Sequence, residues 1–284
     1  MEEITNKKCT VCYGTDTSLR NKKMSLYTCK TCDHTFTVIP REEEEPYNED
    51  YFIEVHKNWF EHPDFNLFKR VFNYSKKLLG DQKIKMVDVG CGQGTFLKHI
   101  LDTYKNDSLE LSGIDIITNN YPGIKFESGD FLEMDFNETY NIITNFMVIE
   151  HVVDPHLFVS KMVKSLTTDG VIVINTINSG SLVYRVAVFL NTLGFSAPHN
   201  RLFDHHHLQH YTNESLAKLL EMGGLEIVKA ENHNYPLKAV DTPQSSAFMK
   251  AIYKFMLGIM FAISKPLNLG MNQTLFCVKN NKTL

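Results

Sequence analysis

Four cysteines near the N-terminus have the spacing of a metal site, as two C-x-x-C pairs separated by sixteen residues. Four thiolates at such a spacing favour a tetrahedral zinc ion, and four protein ligands leave no open position for substrate. Two unrelated thiol pairs or a redox pair would be the alternative, and His34 could replace one ligand. We therefore predict a structural zinc ribbon over residues 1–40, with these Zn2+ ligands: Cys9, Cys12, Cys29 and Cys32.

A glycine-rich turn follows an apolar segment at residues 87–96, where the sequence reads VDVGCGQGTF. Alternating glycines let a backbone turn sharply and approach a ligand closely. A dinucleotide site would read G-x-G-x-x-G, with a pyrophosphate at the following helix N-terminus. This turn is one residue shorter, and Asp88 stands just before it. A carboxylate there is unfavourable beside a pyrophosphate but suits a ligand that carries an amino group and a sulfonium.

Two further acidic residues lie where the next two strands of an α/β sheet should end, although only the first of these strands is distinct in the sequence. Asp115 ends the first of them, where a carboxylate can accept hydrogen bonds from ribose hydroxyls. Asp130 comes after the second and could accept a bond from an adenine amino group, while Phe131 could cover the ring. Any one of these acids could be a loop carboxylate or a helix cap. Their recurrence at successive strand ends predicts a nucleoside site.

Strands and helices must alternate from residue 84 onward to position these groups. The predicted helices cover residues 63–80 and begin near Thr95, Asp154 and Asn213. Such alternation favours a parallel sheet with helices on both faces. The final strand is parallel if the apolar helix before it is a crossover, and antiparallel otherwise. The predicted strands are Ile84–Val89, Leu109–Ile114, Tyr140–Phe146, Val171–Thr176, Leu225–Val228 and Met271–Lys279.

The motifs VDVGCGQGTFL, GID, GDF and NFMVIEHVVDP occur in this order. Together they resemble class I S-adenosylmethionine-dependent methyltransferases over roughly residues 66–280. The resemblance implies an α/β fold with a Rossmann-like seven-stranded sheet whose last strand is antiparallel. It places the methyltransferase domain at residues 63–284, after a connector at residues 41–62.

The same resemblance implies S-adenosyl-L-methionine as the methyl donor and assigns roles around it. The glycines line the methionine portion, Asp115 holds the ribose, and Asp130 and Phe131 flank the adenine. The end of the fourth strand lies near the transferred methyl group. The implied donor site comprises Asp88, Gly90, Cys91, Gly92, Gly94, Asp115, Ile116, Asp130, Phe131, Asn145, Phe146 and Met147.

Two groups of histidines could act on the acceptor. A hydroxyl acceptor needs a base, for which histidine is the commonest choice, whereas an uncharged amine needs none. His151 follows the fourth strand and could be that base, could orient the acceptor, or could only hold its loop. In related methyltransferases a histidine-containing segment lies beside the acceptor, so His207 or His210 is expected to touch substrate. A polar surface loop, or a divalent metal bound by Asp204 and neighbouring histidines, would be the alternative.

The arrangement of a zinc ribbon, then Asp50-Tyr51-Phe52, then this domain resembles bacterial methyltransferases acting on sugars in polysaccharide or antibiotic pathways. It implies a small polar acceptor, a sugar or sugar nucleotide, with oxygen favoured over nitrogen or carbon. The alternatives are an RNA methyltransferase whose zinc module grips RNA, a quinone or other lipid acceptor, and a catalytically silent scaffold. The intact glycine turn argues against the scaffold.

Charge and composition narrow these choices. The 284 residues carry a net charge of −4, with a pI near 6.3, and no basic stripe is present, which disfavours a nucleic-acid partner. The polar start MEEITNKK predicts no secretory signal, and no stretch of about 18 apolar residues is expected to span a membrane. We expect a cytoplasmic protein, in whose reducing surroundings clustered cysteines bind metal.

Two apolar segments, near residues 181–195 and 245–264, do not belong to the basic alternation. The first could be a lid over the acceptor or a buried packing helix. The second could make peripheral contact with a membrane, serve a lipid-linked acceptor, or form a dimer interface. Packing against its own domain is the default expectation.

Overall fold

The structure, a computed structural model, describes residues 7–38, 61–105, 108–135, 137–203, 206–240 and 246–280. Most of the predicted connector, including Asp50-Tyr51-Phe52, therefore lies outside the described residues. The strands are β1 (Thr17–Asn21), β2 (Leu26–Cys29), β3 (Thr35–Thr37), β4 (Ile84–Val89), β5 (Leu109–Asp115), β6 (Ile124–Ser128), β7 (Tyr140–Phe146), β8 (Leu166–Ile177), β9 (Gln209–His210), β10 (Leu225–His233) and β11 (Asn272–Lys279).

The helices agree closely with the predicted positions, and their ends show why. The N-cap side chains Asp64, Asp154 and Thr212 each accept a backbone N–H of the first turn, and Gly80 follows the first helix with a positive φ. The helices are α1 (Phe65–Leu79), α2 (Thr95–Thr103), α3 (Pro155–Ser165), α4 (Leu182–Thr192), α5 (Ala197–Leu202), α6 (Asn213–Met222) and α7 (Ala247–Ser264).

The central sheet has seven strands in the order β10-β11-β8-β7-β4-β5-β6. β6, β5, β4, β7 and β8 are parallel, while β11 is antiparallel to both of its neighbours. The predicted α/β methyltransferase sheet with an antiparallel last strand is confirmed. The chain leaves β4 toward β5 and later returns to its other side as β7. The switch point between β4 and β7 is where open α/β sheets bind ligands.

Helices cover both faces of this sheet. Phe68 and Phe72 of α1 and Phe96 of α2 belong to one core cluster, and Phe158 of α3 and Leu216 of α6 belong to the other. Strand residues supply both clusters because successive side chains point to opposite faces. Burial on both faces explains why the parallel strands read as continuous apolar runs.

The N-terminal ribbon shares a second sheet with the methyltransferase domain. Its order is β1-β2-β3-β9, in which β9 comes from the segment before α6 and pairs antiparallel with β3. The buried Gln209 side chain of β9 accepts hydrogen bonds from Thr10 Oγ1 at 2.7 Å and from His34 Nε2 at 2.9 Å. Its amide nitrogen donates to the Val152 carbonyl at 3.1 Å. Gln209 thus joins the ribbon to the segment that follows β7.

Helix α7 requires a correction, because it does not bury most of its apolar side chains. Leu257, Phe261 and Ser264 are buried, whereas Phe248 is 73% exposed and Phe255 is 69% exposed. Its 18 residues have a mean hydropathy of 1.5, which makes the helix long and apolar enough to cross a membrane by length and composition alone. The expectation that no segment meets this criterion was wrong, since two lysines do not offset so many large apolar residues.

The Gln209 linkage can be tested by Gln209→Ala. This change leaves the buried His34 nitrogen and the Val152 carbonyl without a partner, so the free energy of unfolding should fall by about 2–4 kcal/mol. Urea unfolding followed by circular dichroism measures it. The exposed Gln82→Ala is the control and should change stability by less than about 0.5 kcal/mol. Equal stability of the two variants would contradict the linkage.

Candidate methyl-donor and acceptor site

The glycine turn after β4 depends on conformations and close contacts that only glycine allows. Gly90 and Gly94 have φ values of 74° and 72°. A Cβ atom at Gly90 would collide with the side chain of Val148, and one at Gly94 would lie 2.8 Å from the Phe126 ring. The N–H groups of Gly90 and Cys91 both donate to the Ile114 carbonyl, at 2.8 and 3.1 Å. The turn is therefore held against the ends of β5 and β7.

Asp88 lies beneath this turn and is 2% exposed. Its Oδ1 accepts a hydrogen bond from Thr144 Oγ1 at 2.7 Å. Burial raises the pKa of its carboxyl to about 7, and the nearby charge of Asp115 acts in the same direction. A buried carboxylate with so high a pKa is suited to a positively charged ligand, because such a ligand would favour the ionised form.

Asp115 is placed at the mouth of the turn. Its Oδ2 accepts the Gly92 N–H at 2.7 Å and its Oδ1 accepts the Ile117 N–H at 3.0 Å. Each carboxylate oxygen can accept a second hydrogen bond, as contact with two ribose hydroxyls would require. Burial raises the pKa of the Asp115 carboxyl, and the backbone hydrogen bonds oppose that rise.

The predicted adenine region is only partly as expected. Asp130 is exposed, and its Oδ1 accepts the Leu132 N–H at 2.8 Å. Phe131, expected to cover an adenine, instead points into the core, where it is 6% exposed and packs edge-on against Phe158. Ile116 is 46% exposed, and Leu132 is half-buried. Ile116 and Leu132 are better placed than Phe131 to cover a ring at this edge.

The end of β7 separates three residues that were predicted to lie together. Asn145 is fully buried, and its Nδ2 donates to the Val89 carbonyl at 2.8 Å. Phe146 belongs to the core cluster that also contains Phe68 and Phe96. Met147 has a φ of 55°, a rare value for a residue with a side chain, and packs against an apolar cluster on the ribbon side. Of the three, Met147 is the residue that packs toward the ribbon.

His151 and His207 are brought together after β7. Their ring centroids are 4.8 Å apart. His151 Nδ1 lies 2.7 Å from the His206 carbonyl oxygen, which can only accept, so Nδ1 carries the proton and Nε2 carries the lone pair. Glu150 is fully buried, and burial raises the pKa of its carboxyl to about 7. Donor atoms of Glu150, His151 and His207 lie within 4.8 Å of one another, close enough to bind one cation.

His210 is placed differently from its expected contact with substrate. It is fully buried and packs against Phe203 at 4.8 Å, and neither ring nitrogen has a hydrogen-bond partner among the described residues. Burial lowers the pKa of its imidazole to about 3, far from the value that suits a general base. The alternative metal ligand Asp204 lies outside the described residues.

The four N-terminal cysteines converge as the zinc prediction requires. The sulfur atoms of Cys9 and Cys32 are 3.7 Å apart and those of Cys12 and Cys29 are 3.5 Å apart, and all four lie within 4.8 Å of one another. Zn–S bonds of about 2.3 Å in a tetrahedron separate the sulfurs by about 3.8 Å. All six cysteines of the chain are free. The residues present fit a structural zinc ion.

Within this cluster the Cys9–Cys32 contact favours ionisation of one thiol and opposes it in the other, because it raises the pKa of the Cys32 thiol. The contact with Cys32 lowers the pKa of the Cys9 thiol to about 5, although burial opposes that shift. The Val11 N–H also lies 3.4 Å from Cys9 Sγ. Zinc binds thiolates, so a thiol that ionises readily is suited to this role.

Several residues of the site carried no recognisable signal in the sequence. Thr144 holds Asp88, Val148 closes on Gly90, and Gln209 anchors the histidine segment. Each acts through a contact with a residue distant in the chain. Only Thr144 lay in a predicted strand, where it read as one more core residue.

The comparisons with known proteins agree with this geometry. Residues 60–230 match the model of a family described as a methyltransferase domain. The chain belongs to this methyltransferase family. The predictions of a class I methyltransferase fold and of methyltransferase membership are thereby confirmed.

Individual relatives are more distant. Ubiquinone biosynthesis O-methyltransferases from Rickettsia conorii and Ruegeria are 28% and 26% identical, over 38% and 37% of this chain. These matches span 40% and 46% of the length of those proteins, so the chain matches less than half of each.

Solved structures share the fold over much more of the chain. A chain from the complex between the Haloferax volcanii Trm112 methyltransferase activator and the putative methyltransferase has a TM-score of 0.56 at 13% identity. It covers 81% of this methyltransferase and 95% of that chain. The Burkholderia thailandensis 1,6-didemethyltoxoflavin-N1-methyltransferase, with S-adenosylhomocysteine bound, has a TM-score of 0.52 at 10% identity. It covers 94% and 100% of the two chains.

The zinc site predicts that protein purified without chelator contains about one zinc ion per chain. Cys12→Ser removes one thiolate ligand and should lower both the zinc content and the midpoint of thermal unfolding. Elemental mass spectrometry and differential scanning calorimetry measure these quantities. Cys277→Ser, which changes a buried cysteine outside the cluster, should keep its zinc. A folded wild-type protein with four reactive N-terminal thiols and no zinc would refute the site.

The raised pKa of Asp88 predicts a pH-dependent affinity for S-adenosylmethionine. With a pKa of about 7, the ionised fraction of Asp88 rises from about a tenth at pH 6 to about nine tenths at pH 8. The donor is cationic, so its dissociation constant should fall several-fold over this range. Calorimetric titration at each pH measures it, and Asp88→Asn should lose most of the dependence. The exposed Asp102→Asn should retain it.

Proposed function

We propose that this chain transfers a methyl group from S-adenosylmethionine to a hydroxyl of a small-molecule acceptor. The observation that carries the proposal is the glycine turn at the switch point between β4 and β7, with Asp88 beneath it and Asp115 at its mouth. Membership in the methyltransferase family supports the same reaction. A pyrophosphate cofactor would meet two carboxylates there, which would repel it.

The donor would be held by the residues around this turn. Gly90, Gly92 and Gly94 would accommodate its methionine portion, Asp88 would balance its positive charge, and Asp115 would accept the ribose hydroxyls. Ile116 and Leu132 would cover the adenine, with Asp130 at its edge. When bound, this donor supplies a methyl group already activated by a positive sulfur, so the protein has mainly to align the acceptor and exclude water.

His151 is the candidate base for the acceptor hydroxyl. Its hydrogen bond to the His206 carbonyl fixes the ring and leaves the lone pair on Nε2, where a proton can be received. His207 lies beside it and could orient the acceptor. Removing a proton from the hydroxyl as it attacks the methyl group makes the oxygen a better nucleophile.

An acceptor with an aromatic hydroxyl is the first candidate. The curated relatives are named ubiquinone biosynthesis O-methyltransferases, which is consistent with methylation of an aromatic hydroxyl.

A sugar or sugar nucleotide is the second candidate acceptor. It is favoured by Arg20 of the ribbon, whose guanidinium lies 4.5 Å from the Phe203 ring centroid. One Arg20 nitrogen donates to Thr35 Oγ1 at 3.4 Å and the charge of Asp33 acts on the guanidinium, but its remaining N–H groups could pair with a phosphate. An RNA acceptor is disfavoured by the net charge of −4.

Transfer of a radiolabelled methyl group to a panel of acceptors tests the reaction. The panel contains catechols with and without a prenyl chain, several sugar nucleotides, and total RNA. Labelling of a catechol supports the first candidate, and labelling of a sugar nucleotide supports the second. Absence of donor binding by calorimetry would overturn the proposal, and labelling of RNA alone would replace it.

His151→Asn tests the proposed base. An asparagine can donate to the His206 carbonyl but cannot accept a proton, so kcat should fall about 10²–10⁴-fold with donor affinity unchanged. Steady-state kinetics with the acceptor that the panel identifies measures this effect. The exposed His62→Asn is the control and should keep wild-type kcat. Equal kcat values for the two variants would exclude His151 as the base.

A further inference from the structure

Helix α7 exposes a continuous apolar stripe. At 100° per residue, its exposed large apolar side chains fall within an arc of about 120°. The arc opposite contains Leu257 and Phe261, which pack against the domain. We call the exposed arc the outer stripe, and it consists of Phe248, Met249, Ile252, Phe255, Met256, Ile259 and Ile263, which are 40–73% exposed.

The outer stripe is part of a larger layer that includes α4 and α5. Val183 of α4 packs against the cluster that contains Leu257 and Phe261 of α7. The Arg201 guanidinium of α5 lies 5.8 Å from the Tyr253 ring centroid of α7. The last turn of α4 and the residues just after it are also exposed, with Phe189, Leu193 and Phe195 at 58–65%. Monomeric proteins rarely leave so many large apolar side chains together in water.

The charge of this layer is opposite to that of the rest of the chain. Residues 181–203 contain Arg185 and Arg201, residues 246–271 contain three lysines, and neither range contains an acidic residue. The layer is therefore +5 in a chain of net charge −4, which leaves −9 for all other residues. The nearest acids in sequence, Asp204 and Asp241, lie outside the described residues.

We propose that the outer stripe docks this methyltransferase onto an anionic lipid bilayer, with α7 lying in the plane of the interface. Exposed phenylalanines and methionines would enter the boundary between headgroups and acyl chains. At 100° per residue Lys250 and Lys254 lie on the arc opposite the outer stripe, so their ammonium groups would face the headgroups from the side of the helix that is turned away from the acyl chains. Each basic side chain near an anionic surface adds attraction that salt weakens.

The charge pattern favours a bilayer over a second copy of the chain. In a two-fold dimer the same cationic surface would face itself, and like charges would oppose each other.

The packing also favours lying on the membrane over crossing it. Asn234, the residue after β10, donates through Nδ2 to the Phe261 carbonyl at 3.2 Å and to Ser264 Oγ at 2.9 Å. These hydrogen bonds hold the C-terminal half of α7 against the domain.

Vesicle flotation tests this proposal independently of the acceptor and of methyl transfer. We expect the full chain to float with phosphatidylcholine vesicles that contain phosphatidylglycerol, and to float less with phosphatidylcholine alone or at high salt. Phe248→Ser/Phe255→Ser should reduce the bound fraction about tenfold or more, because the variant loses two phenylalanine side chains that would enter the bilayer. Lys250→Glu/Lys254→Glu should reduce binding to the anionic vesicles about tenfold.

Matched controls lie on α1, away from this layer. Leu78→Ser changes an exposed apolar residue and Lys77→Glu changes an exposed basic residue. Both variants should float like the wild type. Circular dichroism of each variant shows whether it is folded. The proposal is overturned if folded wild-type protein does not float, or if neutral vesicles bind it as well as anionic ones. It is also overturned if Phe248→Ser/Phe255→Ser only dissolves a dimer, or if sodium carbonate fails to extract the bound protein.

Discussion

The parallel pairing of β4 with β7 is the constraint on which the site depends. It brings the carboxyl ends of two strands, far apart in the sequence, to one edge of the sheet. Thr144 of β7 then bonds Asp88 of β4, and Val148 fills the space that a side chain at Gly90 would need. The glycine turn and the buried acid therefore lie together, and His151 follows β7 from the same edge of the sheet, because the two strands are neighbours.

The ribbon extends this arrangement toward the histidine segment. Because β3 pairs with β9, the four-cysteine ribbon packs against that segment and does not stand apart from the domain. Thr37 N donates to the Leu208 carbonyl at 2.9 Å, and Gln209 reaches Val152 beyond β7. The metal would thus stabilise the positions of His151 and His207 without touching substrate.

The sheet could be predicted from the sequence because its signals are local. Apolar runs, capping residues such as Asp154, and the alternating glycines each specify structure within a few residues. The pairing of β9 could not be predicted, because a strand of two residues has no pattern. The inward turn of Phe131 depends on Phe158, and the burial of His210 depends on Phe203. These contacts exist only once distant segments have packed. The sequence left burial, membrane contact and a dimer interface open for α7, because composition does not show which part of an apolar helix its own domain covers.

The shared sheet of the ribbon has a consequence for how the chain is made. During synthesis the four cysteines emerge before the methyltransferase domain, and they could bind zinc before most of that domain has been translated. Their sheet, however, lacks its fourth strand until β9 has been translated, more than 170 residues after β3. Contacts of such long range form slowly. The nascent ribbon would therefore have only three of its four strands, and a bound metal would be what holds them, until the chain has been translated beyond β8.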